Sequence, residues 1–247
     1  MKVLITAGGT HEAIDTVRGI TNYSTGRLGS IIANKFAEKN ADITYICGYN
    51  AVLPSCKKAK IVPIKSTHEL YETISGLLDN HVYECVIHSM AVSDFTPQAI
   101  LTLDDIAASI ASQLNSRTQG QNLVADIKEA ILASGIPLGA GKLSSKTSGL
   151  MLLLDKTPKV IKIIKEKQPG TILVGFKLLS GVVEQELHQA AMDLLVLNSC
   201  DFVLANDLSG IKGNMHKAIL IDKNGPLHTA NTKHEIAEVI YKAVNPL

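Results

Sequence analysis

Two glycine-containing segments near the N-terminus have the composition of a phosphate-binding site. Gly8 and Gly9 follow a short apolar run, and the segment from Ser24 through Gly26 to Gly29 opens an amphipathic stretch. Glycine lets backbone amides approach a phosphate closely, and the first turn of a helix offers unpaired N–H groups. The spacing matches neither GxGxxG nor the P-loop. The glycines therefore fit either a nucleotide-phosphate site or turns that need positive φ values.

The segment between these glycines is long and polar for a connection between a strand and a helix. It contains Arg18 and Asn22 among other charged and polar side chains. Such connections usually take about two to six residues, and longer ones are often functional. A guanidinium can clamp a phosphate or carboxylate, and an amide can both donate and accept a hydrogen bond. Contact with a substrate is one interpretation of Arg18 and Asn22, and a solvated loop is the other.

Four later residues have side chains suited to the same chemistry. Asp94 follows an apolar run, where ligands bind in open α/β sheets, so it fits a substrate or metal contact as well as a turn cap. Lys142 has a cation that could neutralise charge developing during phosphoryl or nucleotidyl transfer, although most lysines only solubilise. Phe176 and Asn206 end two apolar runs. They fit contacts with a nucleobase or ordinary strand ends.

Alternating strands and helices must position these residues. Apolar, β-branched runs predict strands at residues 3–7, 43–47, 61–64, 85–88, 171–176 and 202–205. Helical spacing of apolar residues predicts helices after Gly26 and at residues 68–78, 158–167 and 182–197. Strands this continuously apolar are typical of parallel sheets covered on both faces. The order predicts an α/β fold with a Rossmann-like, doubly wound, mostly parallel sheet and helices on both faces.

We predict a single domain over residues 1–247, with two regions that depart from the alternation. Residues 98–135 are polar and predict an insertion that contains a helix near Leu123 to Ala133. A small C-terminal hairpin is predicted at residues 216–230, where Asn224 and Gly225 would supply the positive φ values of a tight turn. A closing helix is predicted from Thr232, with Glu235 completing its capping box.

Composition narrows the class of protein. A net charge of +1, from 24 basic and 23 acidic residues, gives no field that would recruit nucleic acid or an anionic membrane. The N-terminal residues predict neither a signal peptide nor a membrane span, so we expect a cytoplasmic protein. The four cysteines lie far apart without a CxxC pair, which argues against a zinc site and a disulfide framework. The sequence assigns no metal ligands.

Six segments follow one another along the chain: GGTHEAIDTVRGITNYSTGRLG, MAVSDF, GKLSS, LDKTPKVI, VGFK and LAND. In this order they resemble phosphopantothenoylcysteine synthetase in its free-standing bacterial form. In that family the carboxylate of 4′-phosphopantothenate attacks the α-phosphate of CTP or ATP, which carries Mg²⁺. The amine of cysteine then displaces the nucleoside monophosphate from the acyl-nucleotide. The resemblance implies this ligase activity in coenzyme A biosynthesis, without flavin or NAD.

The resemblance also implies roles for individual residues. Those expected to hold the nucleotide are Gly8, Ser24, Gly26, Gly29, Phe176 and Asn206. Those expected to contact phosphopantothenate are Asn22, Met90, Ala91 and Asp94. Arg18 would bind the phosphate of phosphopantothenate from the neighbouring subunit, which implies a homodimer with shared active sites. Lys142 would lie over the reacting phosphate, and it and Asn22 are the expected catalytic residues.

The sequence departs from the family pattern at lysine positions. Many fused bacterial enzymes have a KxKK strip and further lysines before the AND motif, where this chain has Ser144, Ser145, Leu194 and Asn198. The departure leaves open CTP against ATP and Lys142 against Lys146, and we favour CTP because the free-standing bacterial class resembles CTP-dependent enzymes.

Two other functions are weighed against the ligase. A Rossmann oxidoreductase or flavoprotein needs an acidic ribose-binding residue after the second strand, where this sequence has Cys47, Gly48 and Tyr49. A non-catalytic nucleotide-binding module would keep the glycines but has no need of Arg18 and Lys142. A colourless protein counts against the first, and release of pyrophosphate that depends on phosphopantothenate counts against the second.

Overall fold

A computed structural model describes residues 1–116, 122–137 and 149–245. Its strands are, in chain order, β1 (Lys2–Ala7), β2 (His11–Ala13), β3 (Gly19–Thr21), β4 (Asp42–Gly48), β5 (Lys60–Ile64), β6 (Cys85–His88), β7 (Phe95–Thr102), β8 (Ile136–Pro137), β9 (Leu150–Lys156), β10 (Ile172–Leu179), β11 (Phe202–Lys212), β12 (Met215–Asp222) and β13 (Gly225–Thr232). Its helices are α1 (Arg27–Glu38), α2 (Thr67–Asn80), α3 (Leu103–Asn115), α4 (Leu123–Ala133), α5 (Val160–Lys167), α6 (Glu184–Leu197) and α7 (Lys233–Val244).

The chain divides into two compact units. The first comprises Met1–His11, Asn22–Val92 and Pro158–Leu247, and the second comprises Glu12–Thr21 and Ser93–Thr157. The predicted insertion at 98–135 lies within the second unit. The organisation of the whole chain as one domain stays a prediction.

The first unit is built on an eight-stranded sheet in the order β13, β12, β11, β10, β6, β1, β4, β5. Neighbouring strands from β11 to β5 are parallel, and β12 and β13 add an antiparallel hairpin at one edge. The chain builds outward from β1 in one direction and then from β6 in the other. The predicted doubly wound, mostly parallel sheet is confirmed, and its topological switch point lies between β1 and β6.

Two apolar cores cover the two faces of this sheet. Successive residues of a strand point to opposite faces, so Ile5 packs with Phe36 of α1 and Ile240 of α7, whereas Leu4 packs with Ile74 of α2 on the other side. Helices α5 and α6 complete the second core. Burial on both faces explains why the strands are apolar at consecutive positions. No helix of the described residues is long and apolar enough to span a bilayer.

Side chains fix the start of the closing helix. The Thr232 hydroxyl accepts a hydrogen bond from the Glu235 N–H at 3.2 Å, as the capping box predicts. The Glu235 carboxylate accepts from the N–H of Asn231 at 2.8 Å, one residue before the cap. The cap is confirmed, and the carboxylate satisfies a neighbouring amide of the incoming strand.

The second unit combines a hairpin, a small sheet and two helices. Strands β2 and β3 form a two-stranded sheet, and β7 lies between β8 and β9 in an antiparallel sheet of three. The helix predicted near residues 123–133 is confirmed as α4. Helix α3 was not predicted, although Thr102 caps it by accepting from the Asp105 N–H at 3.0 Å. The apolar residues of α3 recur at helical spacing, so the sequence contained a signal that the polar composition of the region outweighed.

The hairpin between β12 and β13 turns differently from the prediction. Gly225 has φ of +114°, but Asn224 is not among the described residues with positive φ. The Asp222 carboxylate instead accepts a hydrogen bond from the Asn224 N–H at 2.7 Å. The prediction of a positive φ at Asn224 was wrong, because this local side-chain bond supports the turn.

Gly225→Ala tests how much the turn depends on the backbone at this position. A Cβ there would meet no atom within 4 Å, so the cost comes from the positive φ alone. We expect a loss of roughly 1–3 kcal/mol in the free energy of unfolding, measured by urea denaturation. Gly170→Ala is the matched control, since it also has open space but no positive φ. Equal effects of the two substitutions would contradict this explanation.

Candidate functional site

The loops that follow β1 and β6 lie side by side at the switch point of the first unit. The Ala91 N–H donates to the carbonyl of Gly8 at 2.8 Å, and the Thr10 N–H donates to the carbonyl of Ala91 at 3.2 Å. A parallel bridge also joins Gly9 to Ala91. Two segments singled out separately in the sequence are therefore held together by backbone hydrogen bonds.

The backbones around these loops are too close for side chains. A Cβ on Gly9 would lie 2.4 Å from the carbonyl oxygen of Asn22, and one on Gly48 would lie 2.2 Å from that of Gly9. Gly26, with φ of +70°, would place a Cβ 3.0 Å from the nitrogen of Gly8. Sequence reasoning missed the part played by Gly48. Its position at the end of the second parallel strand was the available signal.

Helix α1 starts directly at this junction. Gly26 is its N-cap, no side-chain cap is made by the described residues, and its first turn contains no acidic residue. A Cβ on Gly29 would lie 2.5 Å from Cβ of Ala7 and 3.0 Å from Oγ of Ser89. Glycine thus brings the helix against the end of β1. Its N–H groups and the positive end of its dipole can stabilise an anion there, and Ser24 lies two residues before the cap.

Asn22 links this junction to the loop after β6. Its side-chain N–H₂ donates to the carbonyl of Val92 at 3.1 Å. Met90 is only 7% exposed and packs in the second core, while its N–H donates to Oγ1 of Thr6 at 3.3 Å. Met90 and Ala91 lie in the loop after β6, and Asn22 bonds to the same loop. Because the side chain of Met90 is buried, its backbone is more available than its side chain to contact a ligand.

Phe176 and Asn206 lie on one face of the sheet. Phe176 is half-buried against the core beneath α1, and it is in register with Leu204 of the same core. Asn206 lies two residues beyond Leu204, so it points to the same face, and it is buried. The structure brings these two predicted nucleoside contacts onto the face that α1 covers.

Arg18 and Asp94 belong to the second unit. Nε and Nη2 of Arg18 donate to one oxygen of Asp15 at 2.9 and 2.6 Å. The other oxygen of Asp15 accepts from the N–H groups of Val17 and Arg18 at 2.9 and 2.8 Å. The buried carboxylate thus fixes the direction of a guanidinium that remains 44% exposed. Asp94 is exposed, and Lys142 lies outside the described residues.

His88 lies beneath the junction, at the end of β6. It is buried, and its Nδ1 lies 3.0 Å from Oγ1 of Thr6. Burial lowers the pKa of His88 to about 4, so the imidazole is neutral at neutral pH. Over the described ranges, no group of three or more His, Cys, Asp or Glu side chains could hold a metal ion. His88 is therefore a buried, neutral side chain that packs beneath the junction and pairs with Thr6.

Comparison with known proteins identifies the family. The model of the DNA/pantothenate metabolism flavoprotein C-terminal domain matches residues 1–104 and 136–247. The chain belongs to this family. The coenzyme A biosynthesis bifunctional protein CoaBC of Thermococcus kodakarensis is 31% identical over 247 residues, which are 100% of this chain and 51% of that protein. CoaBC of Bacillus subtilis is 27% identical over 206 residues, or 83% and 40% of the two chains. This chain thus spans about half the length of the curated relatives it matches.

Solved structures agree with this assignment. The crystal structure of the DNA/pantothenate metabolism flavoprotein from Streptococcus pneumoniae is similar at a TM-score of 0.83 and 36% identity, covering 99% of this chain and 98% of that one. A Cab2 mutant in complex with phosphopantothenate-cysteine has a TM-score of 0.67 and 16% identity, covering 98% and 86%. At that identity, the second similarity shows the fold alone.

The depressed pKa of His88 predicts how stability depends on pH. Between pH 6.5 and 4 the unfolded chain binds a proton at this histidine and the folded chain does not, so stability falls as pH falls through this range. The difference between the two pKa values corresponds to roughly 3 kcal/mol. Urea denaturation at several pH values should show a shallower loss in His88→Gln than in the wild type. His228→Gln, which removes an exposed histidine, should change nothing, and a pKa near 6.5 for His88 by NMR would contradict the prediction.

Proposed function

We propose that this chain is a phosphopantothenate-cysteine ligase. It would join 4′-phosphopantothenate to L-cysteine through an acyl-nucleotide formed from CTP or ATP. The observation that carries the proposal is the glycine junction after β1 and β6 at the start of α1, in a chain of this family. The names of its CoaBC relatives refer to coenzyme A biosynthesis, and the Cab2 mutant, which shares the fold, is in complex with phosphopantothenate-cysteine.

The reaction requires activation of a carboxylate. A carboxylate oxygen of phosphopantothenate attacks the α-phosphorus, and pyrophosphate leaves. The amine of cysteine then attacks the carbonyl carbon of the mixed anhydride, loses a proton and expels the nucleoside monophosphate. The first step turns a poor leaving oxygen into a good one, which is the purpose of the nucleotide.

The glycine junction supplies the groups that this chemistry needs for phosphates. The backbone at Gly8, Gly26 and Gly29 lies at the uncapped start of α1, where N–H groups and the helix dipole favour negative charge. Such preorganised donors stabilise charge as it develops on the transferring phosphate. Phe176 and Asn206 are suited to the nucleoside because they lie on the face of the sheet beneath the same helix.

The phosphopantothenate contacts in this proposal come from two places in the chain. Asn22, Met90 and Ala91 belong to the loops joined at the switch point. Asp94 belongs to the second unit and has an exposed carboxylate. We assign Lys142 to the reacting phosphate, with Lys146 as its rival, and Asn22 as the second catalytic residue. The proposal places the enzyme in the cytoplasm.

Mg²⁺ would arrive with the nucleoside triphosphate, whose oxygens it binds. The described side chains contain no cluster of three protein ligands suited to hold it alone. In the proposed reaction Mg²⁺ offsets the charge of the triphosphate, and neither flavin nor NAD takes part.

Arg18 is proposed to act in the active site of a second subunit. Asp15 holds its guanidinium in one direction while leaving it partly exposed. A planar guanidinium fixed in this way is suited to bind the phosphate of phosphopantothenate. A homodimer with two shared sites follows from this assignment.

Product analysis tests the ligase and its nucleotide together. We expect pyrophosphate release that depends on phosphopantothenate, and a product whose mass equals phosphopantothenoylcysteine once cysteine is added. CTP should exceed ATP by at least about tenfold in kcat/KM, since roughly 1.4 kcal/mol of discrimination by the base edge suffices. Equal use of ATP would contradict the CTP preference but not the ligase. The ligase would be contradicted if pyrophosphate were released without phosphopantothenate, or if none were released when phosphopantothenate is present.

Mixed dimers test whether Arg18 works in trans. Arg18→Ala and Lys142→Gln should each be nearly inactive alone, because both sites then lack one group. Co-expression of the two variants places both lesions in one site of a mixed dimer and leaves the other site intact. Random assembly makes half of the dimers mixed, so activity should recover to about a quarter of the wild type. No recovery in a purified heterodimer would show that Arg18 serves its own chain.

A further inference from the structure

His216 on β12 is a buried histidine whose ring lacks hydrogen bonds. Its exposed fraction is 6%, and neither Nδ1 nor Nε2 has a hydrogen-bond partner among the described atoms. Buried polar groups are nearly always paired. An imidazole with two unpaired nitrogens is therefore suited to contact a polar ligand, and none of the segments that indicate the ligase includes it.

Two cations accompany His216. Nζ of Lys233, the first residue of α7, donates to the carbonyl of Gly213 at 2.9 Å. Burial lowers the pKa of His216 to about 4, and the positive charge of Lys233 contributes to this. Burial lowers the pKa of Lys233 as well, and Arg27 contributes to that. The backbone places Lys233 beside His216, because Thr232 and Met215, the residues before them, are paired between β13 and β12. Arg27 and Lys233 begin α1 and α7, two helices that pack together near their last turns. Within the described ranges, Arg27 and Lys233 form no ion pair with a carboxylate.

The cluster of Arg27, His216 and Lys233 lies on the face of the sheet that carries Asn206. Asn206 of β11 is directly opposite Ala218 of β12. His216 lies two residues from Ala218, across an irregularity in the pairing of β12 with β13, and both residues are buried. Helices α1 and α7, which begin with Arg27 and Lys233, pack on the face that contains Ala218. Arg27 is the first residue of α1, next to the glycine N-cap. Helices α1 and α7 pack together through Phe36 and Tyr241, whose ring centroids are 5.2 Å apart.

We propose that Arg27, His216 and Lys233 bind the β- and γ-phosphates of the nucleotide and hold them as pyrophosphate leaves. A pyrophosphate group has several negative charges, which the two cations can neutralise. The neutral imidazole can donate one N–H to a phosphate oxygen. Charge-assisted hydrogen bonds of this kind are stronger than those between neutral groups. The proposal rests on the ligase function for the identity of the nucleotide, while the binding of pyrophosphate itself can be measured without catalysis.

Calorimetric titration of the wild-type chain with inorganic pyrophosphate, in buffer without magnesium, tests this subsite. Lys233→Gln and Arg27→Gln should each raise the Kd at least about tenfold. Lys217→Gln is the matched control, because Lys217 follows His216 on β12, is exposed and loses the same charge. It should leave the Kd unchanged. Undetectable binding to the wild type, or an equal effect of Lys217→Gln, would overturn the subsite.

His216→Phe separates binding from folding. It removes the unpaired ring nitrogens while retaining a buried aromatic ring, so the melting temperature should be maintained while pyrophosphate binding weakens several-fold. The imidazole resonances of His216 should also shift when pyrophosphate is added to the wild type. Shifts elsewhere but not at His216 would contradict the assignment.

The outcomes distinguish this inference from the proposed function. If the protein binds pyrophosphate through Lys233 but has no ligase activity, the subsite is supported and the ligase function is contradicted. Lys233→Gln could instead be an active ligase whose KM for the nucleotide and Kd for pyrophosphate are unchanged. That result would contradict the subsite and support the ligase.

Discussion

The close approach of backbones at the switch point constrains the rest of the first unit. Gly9 lies against the carbonyl of Asn22, and Gly48 lies against the carbonyl of Gly9, at distances that leave no room for a Cβ. The ends of β1, β4 and β6 are consequently tied to the segment that leads into α1. Because rigid strands determine these positions, the first turn of α1 is aimed at one point. Preorganisation of this kind is what a phosphate site requires.

Sequence reasoning predicted the parallel sheet because the physical signal was strong there. Strands such as β1 and β6 are buried on both faces, which produces apolar runs that few other structures explain. Prediction from the sequence was weaker where tertiary contacts determine the position of a residue. The burial of Asp15, the contact between Gly48 and Gly9, and the unpaired ring of His216 depend on residues distant in the chain or on local turns that composition does not specify.

The candidate site was likewise predictable only in part from the sequence. The glycines near β1 and the loop after β6 were identifiable because ligands bind at the carboxyl ends of parallel strands. Their mutual hydrogen bonds became visible only in the structure. Helix α3 was missed for a different reason, since Leu103, Ile106, Ile110 and Leu114 recur at helical spacing but the whole region was interpreted from its polar composition. The residue assignments drawn from family resemblance remain predictions, because resemblance alone does not measure a contact.

The packing of α1 against α7 has a consequence for biosynthesis. Phe36 and Tyr241 are in contact although about two hundred residues separate them in the chain. A ribosome that has made α1 and the first strands has yet to make the helix that completes their apolar core. That face must stay partly uncovered during translation, when exposed apolar surface favours association with other chains. Helix α7 therefore protects a helix that is synthesised about two hundred residues before it.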